Sequence, residues 1–285
     1  MSNLMGVSGD LTKNWANSLI VLHRTPTILV VQTTAGMFDK FGSNDVYGQF
    51  NLGLHVDDIP SDVLVHRAEL LDELNQQYRV DCLHWLNQIH SDIVVNIDES
   101  VGIKALTADA LMTHKAGHGL AIMTADCVPV AVFADDDDQD APIACIHAGW
   151  QGLSNGVIAK TIATIRQTHP KTKLHAIIGA CISQNSYEIT RKLADDIVGQ
   201  VCVKQLTHFD ELDLYHAIIK DGKSCDKCLI DLDKLARFEL EKLGVSVLND
   251  DTPCTYNDTR FYSYRAQTHA KKPATGRMAL VVVRL

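Results

Sequence analysis

The sequence contains no uninterrupted apolar run of about 18 residues, the length that a membrane-spanning helix requires. The longest approach, residues 19–31, is interrupted by His23, Arg24 and Pro26. That segment also lacks the basic start and the small-residue cleavage site of a secretion signal. We therefore expect a protein with no membrane contact and no secretion signal.

Basic residues are outnumbered in this chain. It has 26 Lys and Arg against 35 Asp and Glu, a formal net charge of −9. General binding of nucleic acids or of anionic membranes depends on basic surfaces, so we expect neither kind of partner. A local basic pocket for a single phosphate group is compatible with this charge. The sequence leaves the oligomeric state open.

Internal repeats, low-complexity segments and linkers rich in Pro, Gly and Ser are also missing. Apolar residues make up 46% and charged residues 21% of the chain, which is the composition of an ordinary globular protein and excludes disordered and fibrous ones. We expect a weakly specified lead-in over residues 1–26, followed by one catalytic domain over residues 27–285.

The eight cysteines do not show the paired spacing of a zinc ribbon. In a chain without a secretion signal, this usage predicts reduced thiols in a cytoplasmic protein. Cys225 and Cys228 form a single CxxC, which is weak evidence for a redox or metal role.

Short apolar segments and amphipathic segments follow each other without a strict β-α-β rhythm. This pattern predicts an α+β fold, with mixed β-sheets and helices packed outside them. Strands are predicted at 27–32, 83–89, 119–123, 128–133, 143–146, 174–178, 245–248 and 278–284, the last in a central position. Helices are predicted at 157–167, 187–201 and 229–243.

A further helix is predicted to begin at Ser61 and to bury a stripe of Leu64, Ala68, Leu71 and Leu74. Two connections also have informative compositions. Residues 33–53, rich in Gly, Asn and Asp, are typical of a long binding loop. The acidic run of residues 135–138 is predicted to be a solvated hairpin loop.

Three distant segments each place a soft or nitrogen ligand at the end of a predicted strand. The ligands are His90, Cys127 and His147, too widely spaced for a zinc finger but compatible with strand ends that converge. Two imidazoles and a thiolate suit Zn²⁺, and three protein ligands leave a fourth, catalytic position open. Taken singly, each residue also has an ordinary structural explanation, as a hydrogen-bonded His or a buried Cys.

Seven segments then carry a family resemblance. They are NLGLHVDD (51–58), QIHSD (88–92), TADCVPV (124–130), HAGWQG (147–152), IGACIS (178–183), PCTY (253–256) and FYSYRAQTHAKKPATGRMA (261–279). In these segments and their order, the chain resembles the bacterial laccase-domain family. Its members were once called polyphenol oxidases and are now described as purine nucleoside phosphorylases with adenosine deaminase activity. One branch is known as a peptidoglycan editing factor.

The resemblance implies a fold like that of cytotoxic necrotizing factor, with mixed sheets and outer helices. It implies one zinc ion per chain, held by His90, Cys127 and His147. It also implies purine nucleosides as substrates, namely adenosine, inosine and methylthioadenosine, with phosphate as co-substrate.

Phosphate capture calls for guanidinium groups, which bind its oxygens in pairs. Arg265 is our first candidate, and Arg67 and Arg277 are further substrate-binding candidates. Arg277 is also compatible with a purely structural role. The chain has Ala35 and Gln151 where the family usually has arginine, which weakens the prediction of phosphorolysis more than that of deamination.

Deamination needs a carboxylate that moves protons without binding the metal. Asp126 is the candidate, with a second interpretation as the acceptor that orients a metal-bound His. Gln88 and Asn51 are candidates for hydrogen bonds to the purine or the ribose. Trp150 is either a pocket wall or core.

Three alternatives stay open. A thiol hydrolase would use Cys127 as nucleophile with His147 or His90 as base. A copper polyphenol oxidase is not expected, because multicopper oxidases use paired His-x-His ligands and this chain has no such pair. A non-enzymatic protein with a structural zinc would act by binding, for example in quality control of cell-wall precursors.

Overall fold

Two six-stranded β-sheets stacked on each other form the centre of the protein. The computed structural model describes residues 18–40, 46–99, 105–135, 138 and 140–285. The strands are β1 (Leu19–Arg24), β2 (Ile28–Thr33), β3 (Cys82–Asn87), β4 (Val94–Asn96), β5 (Leu106–Thr107), β6 (Ala110–Thr113), β7 (His118–Thr124), β8 (Val128–Ala134), β9 (Ile143–Ala148), β10 (Leu174–Ile178), β11 (Glu188–Thr190), β12 (Ile219–Asp221), β13 (Lys227–Ile230), β14 (Val245–Val247) and β15 (Met278–Arg284). The helices are α1 (Pro60–Gln77), α2 (Trp150–Asn155), α3 (Val157–Thr168), α4 (Arg191–Val203), α5 (Glu211–Ile218), α6 (Leu232–Lys242) and α7 (Tyr264–His269).

Both large sheets mix parallel and antiparallel neighbours. The first has the order β1-β2-β15-β7-β3-β5 and the second the order β14-β10-β8-β9-β6-β4, while β11-β13-β12 form a small third sheet. In the first sheet β3 runs parallel to β7, and β15 runs antiparallel to both of its neighbours. The predicted α+β fold with mixed sheets and outer helices is confirmed.

The strand β15 shows why its sequence is almost wholly apolar. Successive side chains of a strand point to opposite faces. Leu280 and Val282 therefore pack between the two sheets, whereas Ala279, Val281 and Val283 pack on the other face with α1. Buried on both faces, β15 lies between β2 and β7 in the interior of its sheet, as predicted.

Helices cover the outer face of each sheet. Helix α1 buries Val63, Leu70 and Leu74 against the first sheet. It begins at Pro60 after the N-cap Ile59, so the predicted start at Ser61 is wrong. The predicted stripe is also wrong: Leu64 and Ala68 are exposed and Leu71 is partly buried, and only Leu74 of the four is buried. Proline suits the first turn because its missing N–H would have no helical partner there. The second sheet is covered by helices whose apolar sides share one core with it.

Larger differences from the predicted boundaries occur at three other places. Residues 19–24, predicted as part of a weakly specified lead-in, form β1 and pair antiparallel with β2. The helices predicted from 187 and 229 begin only at Arg191 and Leu232, because Thr190 and Asp231 accept backbone N–H bonds as N-caps. The residues ahead of those caps belong to the third sheet.

The acidic run connects β8 to its antiparallel neighbour β9, the arrangement of a hairpin. Asp135 is exposed, and Asp136, Asp137 and Gln139 lie outside the described residues. No helix in the described ranges combines the length and apolar character needed to cross a bilayer. All eight cysteines are free thiols, with Cys228 buried on β13 and Cys225 exposed.

Candidate metal centre

The three predicted ligands meet at the end of the sandwich where the chain crosses between sheets. Residues 125–127 lead from β7 in the first sheet to β8 in the second, and Cys127 closes this crossing. His90 follows the end of β3, and His147 lies near the end of β9, opposite Pro129. The ligand atoms all lie within 4.8 Å of one another, with 3.8 Å between Cys127 Sγ and His90 Nε2.

Two of the turns at this end have unusual backbone conformations. His90 has φ of 59° and Asp126 has φ of 103°, both in the region that side-chain-bearing residues seldom adopt. The fully buried Asp109 stabilises the first turn by accepting hydrogen bonds from the N–H groups of His90 and Ser91. A carboxylate that no sequence argument singled out therefore fixes the position of His90.

Asp109 also orients the second imidazole. His147 Nδ1 donates to Asp109 Oδ1 at 2.8 Å, so the other ring nitrogen, Nε2, is left to act as a ligand. Burial alone would raise the pKa of Asp109, but hydrogen bonds from His147 and Ser91 lower it to about 2. The carboxylate is thus ionised throughout the neutral range and keeps a proton on Nδ1 of His147.

Cys127 and His147 shift each other's pKa in opposite directions. Burial alone would raise the pKa of the Cys127 thiol, yet the His147 charge and hydrogen bonds from both imidazoles lower it to about 6. Burial would lower the pKa of His147, but the Cys127 thiolate and Asp109 raise it to about 9. At neutral pH the sulfur is therefore a thiolate, the form that both metal ligation and nucleophilic attack require.

Gly149 leaves the space in which these ligands approach each other. A Cβ atom at this position would lie 3.0 Å from Cys127 Sγ and 3.1 Å from His90 Cδ2. Any side chain there would press on two of the three ligands. This contact explains why glycine occupies the third position of the segment HAGW.

The donor set fits a zinc ion. Zinc–sulfur bonds of about 2.3 Å and zinc–nitrogen bonds of about 2.0–2.1 Å separate two tetrahedral ligands by about 3.6 Å. The 3.8 Å between Cys127 Sγ and His90 Nε2 is close to that separation. An oriented imidazole, a second imidazole and a thiolate leave one coordination position open.

The three ligands border a cavity of about 610 Å³. The cavity is lined by His55, Gln88, His90, Met123, Thr124, Ala125, Asp126, Cys127, His147, Trp150, Ile182, Tyr187, Leu232, Tyr264, Arg265, Thr268, His269 and Arg277. A cavity of this size is in the range of small-molecule binding sites. Trp150 serves both predicted roles, since it lines the cavity and also packs against the core of the second sheet.

Two arginines bring positive charge into this cavity. Arg265 lies over the ring of Tyr187, 4.8 Å from its centroid, and donates to the carbonyl oxygen of Glu188. Arg277 donates to the carbonyl oxygens of Thr275 and Gly276, and burial lowers its pKa. These contacts use one terminal nitrogen of each guanidinium and leave the remaining N–H groups for an anion.

Asp126 is the only carboxylate among the described residues that line the cavity. Its oxygens accept hydrogen bonds from the Thr255 hydroxyl at 2.6 Å and from the backbone N–H of Arg265 at 2.7 Å. Burial raises its pKa despite these bonds. Asp126 therefore ties the β7–β8 crossing to the segment that carries Arg265. For His147, the acceptor position considered for Asp126 is taken by Asp109.

The other predicted residues lie around the cavity in supporting positions. The amide of Gln88 lines the cavity but both donates to and accepts from the backbone of Met123, at 2.8 Å each, so it links β3 to β7. Asn51 is fully buried, outside the lining, and accepts from the N–H of Arg277. Arg67 is also outside the lining; it donates to the Leu52 carbonyl oxygen and stacks on Trp85.

Neither Asn51 nor Arg67 lines the cavity, so their predicted contact with substrate stays a prediction. Asn51 links the loop that follows β2 to Arg277, and Arg67 links that loop to Met123 and Trp85.

Sequence reasoning missed Asp109, His55 and Tyr187. A signal for Asp109 exists in the sequence, because Thr107-Ala108-Asp109 repeats the tripeptide Thr124-Ala125-Asp126 ahead of another apolar strand. His55 lies within the segment NLGLHVDD, and Tyr187 has no comparable signal.

Comparison with known proteins agrees with this geometry. The family model described as multi-copper polyphenol oxidoreductase laccase matches residues 34–285. The chain belongs to this laccase-domain family. It is 34% identical over 243 residues to a purine nucleoside phosphorylase of Corynebacterium glutamicum, covering 84% of this chain and 89% of that protein. It is 32% identical to a purine nucleoside phosphorylase of Pseudomonas aeruginosa, covering 83% and 86% respectively.

Solved structures share the fold. A Neisseria meningitidis protein of the DUF152 family superposes with a TM-score of 0.73 at 28% identity, covering 94% of this chain and 99% of that one. A Bacillus licheniformis protein, YfiH, superposes with a TM-score of 0.74 at 21% identity, covering 94% and 97%. The laccase-domain fold implied by the sequence resemblance is confirmed.

Proposed function

We propose that this laccase-domain protein is a zinc-dependent purine nucleoside phosphorylase that also deaminates adenosine, with its activity in residues 27–285. The observation that carries the proposal is the convergence of His90, Cys127 and His147 at the floor of a cavity that also holds Arg265 and Arg277. The names of the relatives in Corynebacterium and Pseudomonas support the phosphorylase reaction. The eight free thiols support a reducing, cytoplasmic location.

In phosphorolysis a phosphate oxygen forms a bond to C1′ of the ribose while the bond from C1′ to N9 of the purine breaks. The electron pair of that bond leaves with the base, which then takes up a proton. Arg265 and Arg277 would hold the phosphate in line and offset its charge. A zinc ion, when bound, would supply Lewis-acid stabilisation of charge on the reacting group.

The arginines that the family usually has at positions 35 and 151 are absent here. Arg265 and Arg277, which line the cavity, can supply part of the positive charge that these arginines would bring. Ala35 is fully buried, beside Tyr262, and Gln151 is exposed. Neither residue lines the cavity. Phosphate binding is therefore assigned to Arg265 and Arg277, which reach the cavity from α7 and from the turn before β15.

In deamination, water replaces the 6-amino group of adenosine and ammonia leaves. Protons must move from the water to the leaving nitrogen. Asp126 is the one carboxylate in the cavity lining, and its raised pKa favours a group that can hold a proton at intermediate pH. These two properties support Asp126 as the proton carrier of this second reaction.

One observation favours a different reaction, the thiol hydrolase. The lowered pKa of Cys127 and its contact with His147 are what an activated nucleophile needs. Metal content separates the two proposals, because a thiolate that ligates zinc is not free to attack a substrate.

The decisive experiment measures metal content and turnover together. Purified protein is analysed for zinc and copper and is then incubated with adenosine, inosine and methylthioadenosine, with and without phosphate. We expect zinc, no intense blue copper absorption, adenine from adenosine only with phosphate, and inosine from adenosine without it. Turnover in metal-free protein would favour the hydrolase. No turnover in zinc-loaded protein would favour a binding role in cell-wall quality control.

Arg265→Gln tests the phosphate assignment. The variant loses a charge-assisted hydrogen bond, worth about 1.5–3 kcal/mol, so KM for phosphate should rise about 10- to 100-fold. Deamination should be nearly unchanged because it uses no phosphate. Arg260→Gln is the matched control, since Arg260 is an exposed arginine that pairs with Asp258 outside the cavity lining. An equal loss in both reactions would show that Arg265 only maintains the fold.

A further inference from the structure

A second cluster of soft and nitrogen ligands lies at the opposite ends of the strands that lead to the metal centre. Cys82 and His84 are on β3, and His118 is the first residue of β7. The strands are parallel, with Cys82 paired to His118. Residues two apart on a strand share a face, so Cys82 and His84 point to the same side. We call these three residues the flank cluster.

The flank cluster lies on the face of the first sheet that packs against the second. Leu86 continues the alternation of β3 and Leu120 that of β7, and both are buried in the core between the sheets. The three cluster residues are only partly buried. They therefore lie at the edge of that core, where an ion from solvent can reach them.

The ligand atoms of the flank cluster are close together. His84 Nε2 is 3.2 Å from Cys82 Sγ and 2.9 Å from His118 Nδ1, and all three atoms lie within 4.8 Å of one another. The rings of His84 and His118 are stacked, with centroids 5.0 Å apart. Both short contacts thus converge on a single nitrogen of His84.

That convergence cannot be satisfied by hydrogen bonds among the three side chains alone. A neutral imidazole nitrogen either donates one hydrogen bond or accepts one with its single lone pair. His84 Nε2 can therefore make one good hydrogen bond, to Cys82 or to His118, and the other contact brings two polar atoms together without a shared proton. A cation bound between the three atoms would replace both contacts with bonds from each ligand atom to the metal.

We propose that Cys82, His84 and His118 form a second zinc site, independent of the centre in the cavity. One thiolate and two imidazoles are a donor set for zinc, and water would complete its four-coordinate shell. Binding displaces the thiol proton of Cys82, which is released to solvent. Asp81 and Asp98 add negative charge near the cluster, and Lys115 adds positive charge.

The site would act on the fold rather than on the substrate. None of its residues lines the cavity. An ion there would join the first residue of β3 to the first residue of β7, while the far ends of the same strands lead to His90 and to Cys127. We therefore expect the second zinc to stabilise the pair of strands that carries the metal centre.

Zinc stoichiometry tests the proposal on the full chain. Protein stripped with a chelator is loaded with zinc, passed over a desalting column and analysed. We expect two zinc ions per chain in the natural sequence, one in Cys82→Ser, one in Cys127→Ser and none in the double variant. Cys202→Ser, a partly buried cysteine on α4, is the matched control and should retain two.

Cobalt gives an independent readout. In Cys127→Ser, Co²⁺ should still produce a thiolate-to-metal charge-transfer band, and adding Cys82→Ser should remove it. Circular dichroism confirms that each variant is folded, and His118→Asn provides a milder change that should lower affinity at the same site.

The outcomes separate this proposal from the proposed function. One zinc in the natural sequence, none in Cys127→Ser and no charge-transfer band in that variant would overturn the second site alone. Loss of zinc in Cys82→Ser but not in Cys127→Ser would support the flank cluster and overturn the metal centre in the cavity.

Discussion

The metal centre and the flank cluster contain the same three types of side chain, one cysteine and two histidines. The flank cluster lies where β3 and β7 begin, and the other ends of these two strands lead to two of the three ligands of the metal centre. Their surroundings differ. At the metal centre, the buried carboxylate of Asp109 holds His147. Within the described part of the chain, neither His84 nor His118 hydrogen-bonds to a carboxylate.

The backbone also differs between the two places. The metal centre collects ligands from three chain segments in two sheets, where the chain crosses between them and a cavity opens. The flank cluster collects its ligands from two neighbouring strands of one sheet. The same donor atoms therefore occur in both places. An imidazole oriented by a carboxylate, and a cavity beside the ligands, are found at the metal centre, and these two features are what a reaction would need.

The largest effect is expected for His147→Ala. Removing the buried ligand leaves two protein ligands and takes one hydrogen bond from Asp109, so zinc in the cavity and both reactions should be lost. Metal analysis and nucleoside turnover measure this. His216→Ala, an exposed histidine on α5, is the control and should keep full activity. Unchanged turnover in His147→Ala would remove the metal centre from the mechanism.

A smaller effect is expected for Asp109→Asn. This variant changes the carboxylate that distinguishes the metal centre from the flank cluster. The variant keeps the size of the side chain but loses the charge that orients His147, so zinc affinity should fall about 10- to 100-fold. Competition with a chromophoric chelator in a Cys82→Ser background measures the affinity of this site alone. Asp98→Asn, a carboxylate hydrogen-bonded to Thr113 and His114, is the control. Equal affinities in both variants would contradict the role of Asp109.

The pH dependence of zinc affinity follows from the Cys127–His147 pair. With pKa values of about 6 for Cys127 and about 9 for His147, the metal-free pair carries one proton, on His147, between these values. Zinc must displace that proton, so affinity should rise about tenfold per pH unit in this range and level off above it. Below about pH 6 the thiolate also becomes protonated and the slope should steepen. A flat profile from pH 6.5 to pH 8.5 would be inconsistent with the pair.

The smallest effect on activity is expected for Cys82→Ser. The flank cluster does not touch the cavity, so kcat and KM should remain within about twofold at a temperature where the protein is folded. The melting temperature with zinc present should fall, because a ligand that binds only the folded state stabilises it. A large change in kcat without a change in stability would mean that the two clusters are coupled.

Much of the architecture was predictable from local patterns. The strand predicted at 174–178 matches β10, and β15 was placed centrally from its nearly continuous apolar sequence. The errors fall where a cap decides a boundary, as at Thr190 and Asp231, or where the pattern of a strand is broken, as in β1. The pairing of β1 with β2, the next strand along the chain, shifts register between Val21 and His23, and such a shift interrupts the alternation by which a strand is recognised.

Some features of the site could also be predicted from the sequence and others could not. The residues around His90, Cys127 and His147 predicted the ligand types of the metal centre and their positions at strand ends. The contacts of Asn51 and Arg67 could not be predicted, because either side chain can hydrogen-bond to a substrate or to a neighbouring backbone group equally well. The glycine at position 149 is explained only by the tertiary structure, which shows that a Cβ atom there would crowd Cys127 Sγ.

Residue types along the chain are enough to predict the donor chemistry, the alternation that buries each strand and the resemblance to one family. They do not predict that Asp109 rather than Asp126 orients His147, that Arg265 and Arg277 reach the cavity, or that Cys82 meets His118. Contacts between residues distant in the chain depend on strand register and on where the chain crosses between sheets. Neither is encoded in the identity of the contacting residues alone.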